Sequence, residues 1–276
     1  MATPTRTTLE LPGSLGPIRV AVDAGGREGA RPAVVILHGF KGFMEWGMFP
    51  FVAERLSRAG FSAVRLTASG SGADASGNFR YPDRFAHNTV VAELADLATV
   101  MNAHVAGELG TVPPSSIGLL GHSRGGGMVI LQTARDSRVR ALVTWAAIAS
   151  IRRWNDREAQ EWRQQGYREV VNARTGDVLR QDVALLEEVE QDDGALSIAR
   201  TAARVSSPWL IVHGANDASV KPAEAHLLQR QNPGAELLEV PGGDHTFGAK
   251  HPWAGSTPAL DRALDATIAW FARYLT

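Results

Sequence analysis

Ile117-Gly118-Leu119-Leu120-Gly121-His122-Ser123-Arg124-Gly125-Gly126-Gly127-Met128-Val129-Ile130-Leu131 is the stretch on which the reading of this chain turns. It opens as a short apolar strand over 117–121, passes through a tight turn, and continues as a helix over 125–134. Gly121-His122-Ser123-Arg124-Gly125 has the Gly-x-Ser-x-Gly pattern in the strand–turn–helix setting that pattern requires. A turn this tight leaves no room for side chains at the flanking positions, so glycine stands on both sides and the serine is pushed out at the carboxyl end of the strand. An ordinary βα turn closed by glycines would read the same in isolation. Gly126 and Gly127 fit either reading, because both allow a helix to pack closely on a sheet.

The surrounding chain supplies the sheet. Ala33-Val34-Val35-Ile36-Leu37 is an unbroken, mostly β-branched run, as expected of a strand buried on both faces. Further strands are expected at 61–66, 139–149, 209–213 and 235–240, and helices at 49–59, 88–106, 222–231 and 259–275. Strand and helix alternate from residue 33 on, which implies an α/β fold with a mostly parallel central sheet and helices on both faces. Residues 5–24 read as a hairpin around Gly13-Ser14-Leu15-Gly16-Pro17, and 68–77 as a loop. The segment 151–206 breaks the alternation. It is charged, reads as helical without a convincing strand, and lies between two sheet strands. The chain therefore divides into a core of 1–150 and 207–276 and a helical lid or cap insertion at 151–206.

A serine hydroxyl is a weak nucleophile and needs a base held by a third group. For an elbow of this type the chain order is Ser, then Asp or Glu, then His. His213-Gly214-Ala215-Asn216-Asp217 and Gly242-Gly243-Asp244-His245-Thr246-Phe247 each follow a strand, so Asp217 and His245 fall at the same carboxyl edge as Ser123. His251 is the competing base. His38, His122 and His213 abut strand ends and read as structural, whereas His87, His104 and His226 fall on helices and read as surface residues. Asp244 neighbours His245 in sequence and is badly placed to face it. Asp192 and Asp193 read as solvated. His38-Gly39-Phe40 follows the first core strand, and the amides of Phe40 and Arg124 are the expected oxyanion donors. A capping turn would also account for His38-Gly39.

Taken in order, these motifs resemble bacterial α/β-hydrolases related to feruloyl (cinnamoyl) esterases and acyl-peptidase-like carboxylesterases, over roughly residues 30–275. The resemblance implies the α/β-hydrolase fold and a lid over the serine, which would be 151–206. It departs from the family after the second core strand. Relatives often carry a D-x-R-G-x-G pattern there, where this chain has Leu66-Thr67-Ala68-Ser69-Gly70-Ser71-Gly72, which puts that loop's support of the oxyanion side in question. The chain lacks the propeller of large prolyl-peptidase relatives. It has no cysteine for a dienelactone-hydrolase nucleophile, and serine stands where dehalogenases and epoxide hydrolases place aspartate.

Composition narrows the function further. Lys and Arg number 28 against 29 Asp and Glu, with no basic cluster, so a nucleic-acid partner is not expected. Cysteine is absent, which removes disulfides and thiolate metal sites, and neither a metal nor a cofactor is expected. No apolar run approaches a membrane span and the first residues lack a signal-peptide core, so a cytoplasmic protein without a membrane partner is expected. A homodimer is left open.

The expected activity is hydrolysis of a small-molecule carboxylic ester through Ser123, Asp217 and His245. A serine aminopeptidase or amidase with the same triad is the alternative, and a non-catalytic binding protein on the same fold is a third reading. The lid glutamates Glu158, Glu161, Glu187 and Glu188 are candidates to anchor a charged amine, although they read as surface residues. The expected substrate-binding residues are His38, Gly39, Phe43, Trp46, Trp154, Trp162 and Tyr167. Trp154 and Trp162 lie eight apart, about two helical turns, and either form an aromatic wall or anchor the lid. Arg152, Arg153 and Arg157 could attract an anion or simply form a solvated face.

Overall fold

The structure, a computed structural model, describes residues 5–25, 29–172 and 175–276. Residues 1–4, part of the segment read above as lacking a signal-peptide core, lie outside the described residues. The chain begins with β1 (Thr5–Gly13) and β2 (Gly16–Ala24), the expected hairpin. It continues through β3 (Ala33–Leu37), α1 (Phe49–Arg58), β4 (Ser62–Thr67), α2 (Pro82–Ala86), α3 (Val90–Val105), β5 (Ile117–His122), α4 (Arg124–Thr133) and β6 (Val139–Trp145). Next come α5 (Asp156–Gln165), β7 (Tyr167–Val171), β8 (Val178–Asp182), α6 (Ala184–Gln191) and α7 (Ile198–Ala202). β9 (Trp209–Gly214), α8 (Pro222–Gln231), β10 (Glu236–Val240) and α9 (Pro258–Leu275) complete it. Among the described residues, no helix is long and apolar enough to cross a membrane.

Eight strands form one sheet in the order β1-β2-β4-β3-β5-β6-β9-β10. Pairing is antiparallel for β1 with β2 and β2 with β4, and parallel from β4 to β10. The period-2 geometry of a strand explains why the apolar runs are continuous. Val35, Leu37 and Leu119 point into a core shared with α3, α4 and α8. Val34, Ile36 and Leu120 point into one shared with α1 and α9. Fully burying each such side chain is worth about 1.5–3 kcal/mol, and the sheet repeats this on both faces. Helix starts follow capping chemistry: the Thr89 hydroxyl accepts from Ala92 N at the start of α3, and Thr257 does the same from Leu260 N at the start of α9.

The insertion differs from expectation in one respect. Besides α5, α6 and α7 it contains an antiparallel hairpin, β7–β8, with Tyr167 opposite Asp182 and Val171 opposite Val178. Of its two strands only Leu179 and Gln181 are buried, so the apolar signal is too sparse to stand out among charged neighbours. The insertion is built into the main core. Trp154, Ala159, Trp162, Leu185, Leu186 and Ile198 belong to the same buried cluster as Val90 and Val129. Glu188 ties it down further by accepting from the Val90 and Val91 amides at the start of α3 (2.7 and 3.2 Å), where a carboxylate also meets the positive end of the helix dipole.

His104 corrects another reading. It lies on α3 but is fully buried, because that helix is covered on several sides, with Val100, Met101, Ala103 and His104 all buried in its last two turns. Its two ring nitrogens have no hydrogen-bond partner among the described residues. His87 is exposed, and His226 is half-exposed and paired with Glu239 at 2.9 Å.

Candidate active site

The turn from β5 into α4 is as tight as its glycines require. A Cβ on Gly121 would lie 2.3 Å from the Gly125 carbonyl oxygen, and one on Gly125 would lie 2.3 Å from the His38 carbonyl oxygen. Ser123 between them adopts φ 57° and ψ −119°, a conformation that L-residues avoid unless their surroundings impose it. Here the surroundings are hydrogen bonds. Ser123 N donates to the Trp145 carbonyl (2.8 Å), and the Ser123 carbonyl accepts from Gly127 N and Ile148 N (both 3.2 Å).

The loops after β9 and β10 meet at the same edge. Asn216 N donates to the Gly243 carbonyl (2.9 Å), and a Cβ on Gly214 would lie 2.4 Å from that carbonyl oxygen, so glycine is what lets the loops touch. Asp217 is thereby buried and His245 part-exposed. His245 Nδ1 donates to Asp217 Oδ2 at 2.7 Å, and the Ser123 hydroxyl lies 3.0 Å from His245 Nε2, placed to donate to it. Asp217 Oδ1 is taken up by the Ser219 and Val220 amides (2.8 and 2.9 Å). Burial alone would raise the Asp217 carboxyl. The His245 hydrogen bond, the Val220 and Ser219 amides and the charge interaction with His245 outweigh it, and the carboxyl stays below its usual range.

The other candidate bases are occupied elsewhere. His251 Nδ1 accepts from Gly47 N (3.0 Å), and its ring stacks on Trp46. Asp244 Oδ1 accepts from Thr246 N and Gly248 N, closing its own loop. His122 Nε2 donates to the His245 carbonyl (2.8 Å) and so braces the segment carrying His245. His213 Nε2 donates to the Val220 carbonyl (2.9 Å). Burial pushes His38 down to about 4. Burial and the neighbouring His245 push His122 down to about 3. Both are therefore neutral at pH 7.

The 38–40 loop lies against the elbow: a Cβ on Gly39 would sit 2.9 Å from the Ser123 Cβ. Arg124 is the first residue of α4, where an amide has no acceptor within its own helix. The loop after β4, whose sequence departs from the family pattern, does reach this side of the site. Ser71 Oγ donates to the Gly42 carbonyl (2.9 Å) and Ala68 N donates to His38 Nε2 (3.2 Å). Asp96 of α3 anchors that loop by accepting from Ser69 N (2.6 Å).

Two cavities open beside Ser123 and share Phe40, Lys41 and His245. The first, about 400 Å³, also takes in Arg124, Ile148, Ile151, Trp154 and Arg168. The second, about 340 Å³, takes in Gly39, Trp46 and Phe49. Gly39, Trp46 and Trp154 thus line cavities that open at Ser123. Trp162 and Tyr167 instead line a third cavity of about 420 Å³, which meets the first at Phe40 and Arg168. His38 and Phe43 line none of the three. His38 is buried, with its ring committed to the Ala68 amide. Phe43 is buried under Gly77, whose Cβ would lie 2.1 Å from its ring, and meets His251 edge-on.

The aromatic pair of the insertion meets, with the Trp154 and Trp162 rings T-shaped at 5.2 Å. Arg152 pairs with Asp156 and Arg157 with Glu161 on the exposed surface, which is the solvated-face reading. Arg153 lines the first cavity while paired with Glu224 at 2.9 Å. Sequence reasoning missed Lys41 and Arg168. Arg168 sits on β7, so recognising a strand–turn–strand over 167–182, with Gly176-Asp177 in the turn, would have brought it forward.

The sequence model of the prolyl oligopeptidase family matches residues 49–276. Among solved structures the chain is similar to Est1E from Butyrivibrio proteoclasticus, with 18% identity and a TM-score of 0.69, covering 96% of this chain and 98% of that one. It is similar to the esterase domain of a Rhodothermus marinus protein, with 16% identity and a TM-score of 0.67, covering 99% of this chain and 100% of that one. It is also similar to a puromycin-hydrolyzing peptidase of Mycobacterium tuberculosis, with 18% identity and a TM-score of 0.68, covering 99% of this chain and 39% of that one. At these identities the likeness is one of fold. No curated protein sequence matches the chain.

Proposed function

The chain belongs to the prolyl oligopeptidase family and is a serine hydrolase of the α/β-hydrolase fold, and from that premise we propose that it cleaves carboxylic esters through Ser123, His245 and Asp217. The observation that carries the proposal is the hydrogen-bonded relay from Asp217 through His245 to Ser123, at 2.7 and 3.0 Å, beside two cavities. His245 Nε2 takes the Ser123 proton as Oγ attacks the ester carbonyl. The Phe40 and Arg124 amides receive the negative charge that develops on the carbonyl oxygen. The tetrahedral intermediate expels the alcohol, which leaves with the proton from His245. Water, deprotonated by His245, then attacks the acyl-serine, and the proton returns to Ser123 as the acid is released. Asp217 keeps the His245 proton on Nδ1 and stabilises the imidazolium formed in each step.

Ester rather than free-amine peptide is favoured by the charge of the first cavity. Its lining includes Lys41, Arg124, Arg153 and Arg168 and no carboxylate. An aminopeptidase needs an acid to hold the substrate ammonium. Of the candidate acids, Glu158 and Glu161 line the third cavity, and Glu188 caps α3. The test is turnover of 4-nitrophenyl esters and amino-acid 4-nitroanilides by wild type and Ser123→Ala. Ester turnover that vanishes in Ser123→Ala is expected. Turnover of anilides alone would replace this reading with the amidase one.

A further inference from the structure

We propose that the first cavity selects esters that carry a carboxylate group, gripped by the guanidinium groups of Arg124 and Arg168. The proposal rests on the serine-esterase reading for its chemistry, but the anion site stands on separate observations. Arg124 is only 8% exposed and lines the cavity beside Ser123. Its Nε donates to Glu93 Oε1 at 2.9 Å, while its Nη2 is buried with no partner among the described residues. A buried charged donor left without a partner is costly, and a bound oxyanion removes that cost.

Arg168 is the second half of the grip. It reaches the cavity from β7, with its guanidinium 4.1 Å from the centre of the Trp162 ring and 5.1 Å from that of Trp154. Its Nε and Nη2 both donate to one neutral oxygen, Gln181 Oε1, at 2.8 and 2.6 Å. Among the described residues no carboxylate forms an ion pair with it. Burial and then the neighbouring Arg124 push Arg168 down to about 10, so it remains charged at neutral pH.

The charges around the cavity do not cancel. Glu93 pairs with Arg124 and Glu224 with Arg153. Lys41 is held through the Val171 carbonyl oxygen, and Arg168 through an amide, with the Glu158 carboxylate of the adjoining cavity offsetting part of its charge. The net excess is positive, and the planar fork of a guanidinium suits a carboxylate. The aromatic faces under Arg168 fix its orientation, which reduces what binding must order. Ile148, Ile151 and Val220 line the same cavity as Ser123 and the two guanidinium groups, which suits a hydrocarbon spacer between carboxylate and ester.

The test compares kcat/KM for matched pairs. Mono-4-nitrophenyl glutarate against 4-nitrophenyl hexanoate places the charge on the acyl side, and 3-acetoxybenzoate against 3-acetoxytoluene places it on the alcohol side. Wild type is expected to favour the anionic member of at least one pair by roughly 10-fold to 100-fold, as for a hydrogen-bonded charged group, and that pair identifies the side. Arg168→Gln collapses the ratio, and Arg168→Lys, which keeps the charge but not the fork, leaves it intermediate. Independently, glutarate is titrated into Ser123→Ala by tryptophan fluorescence. Saturable quenching that weakens at least roughly 10-fold in the Ser123→Ala, Arg168→Gln double variant supports the site. Ratios near one in both wild-type pairs, or a ratio unchanged by Arg168→Gln, overturn the proposal. If no ester is turned over but the titration saturates and depends on Arg168, the anion site holds and the esterase reading is what fails.

Discussion

Asp217→Asn changes one atom type and reverses a proton's position. In the native site Asp217 Oδ1 accepts two backbone donors, Ser219 N and Val220 N, at 2.8 and 2.9 Å. An asparagine must therefore turn its carbonyl oxygen to those amides, because an NH2 group there would face two donors. Its NH2 then faces His245 Nδ1, where the native carboxylate accepts at 2.7 Å. Nδ1 becomes the acceptor and the ring proton moves to Nε2, the nitrogen 3.0 Å from Ser123 Oγ. A protonated Nε2 cannot take the serine proton, and no carboxylate remains to stabilise an imidazolium. A loss of about 10⁴ in kcat is expected, or about 5.5 kcal/mol of barrier at 1.36 kcal/mol per tenfold. The two backbone hydrogen bonds survive, so Tm should move by no more than roughly 5 °C. The assay is kcat and kcat/KM on a 4-nitrophenyl ester, with thermal unfolding as the control. A well-folded variant that loses less than about tenfold refutes this account of Asp217.

Gly125→Ala would drive a methyl group to within 2.3 Å of the His38 carbonyl oxygen and 2.6 Å of the Leu37 carbonyl oxygen. It should cost about 1–3 kcal/mol of stability and, by shifting Phe40, about 100-fold to 1000-fold in kcat, read by unfolding and ester kinetics. The depressed values of His38, His104 and His122, about 4, 4 and 3, make acid destabilising. The unfolded chain protonates these rings near pH 6.5 and the native protein does not, so stability is full above that pH and falls as pH drops toward 4. The slope approaches about 1.4 kcal/mol per pH unit for each ring, measurable by urea unfolding at several pH values. His104→Leu removes a buried ring whose nitrogens have no partner among the described residues. It should raise stability by about 1–3 kcal/mol and flatten that acid slope.

The elbow and the two later loops were readable because each carries its chemistry and its punctuation together. Gly121 and Gly125 bracket Ser123, Gly214 precedes Asp217, and Gly243 precedes His245, and the structure gives steric reasons for three of these glycines: Gly121, Gly125 and Gly214. The strands β3, β5 and β9 were equally plain, since burial on both faces demands unbroken apolar runs. The hairpin of the insertion was not, because one solvated face leaves Tyr167-Arg168-Glu169-Val170-Val171 with the look of any charged segment. Arg168 was lost along with it. Phe43 and His38 show the complementary error: adjacency to the oxyanion loop in sequence says nothing about which way a side chain turns. Both point into packing, where Gly77 and the Ala68 amide receive them. His104 was read from its helix alone, and only the tertiary cover of α3 buries it.

Reaction with a fluorophosphonate probe, followed by peptide mapping, tests the central claim most directly, since only a serine activated by a base is modified at speed. One adduct per chain on Ser123, absent from Ser123→Ala and much slower to form in His245→Ala, is what this account predicts. An adduct on another serine, or labelling at Ser123 that proceeds unchanged without His245, would contradict it.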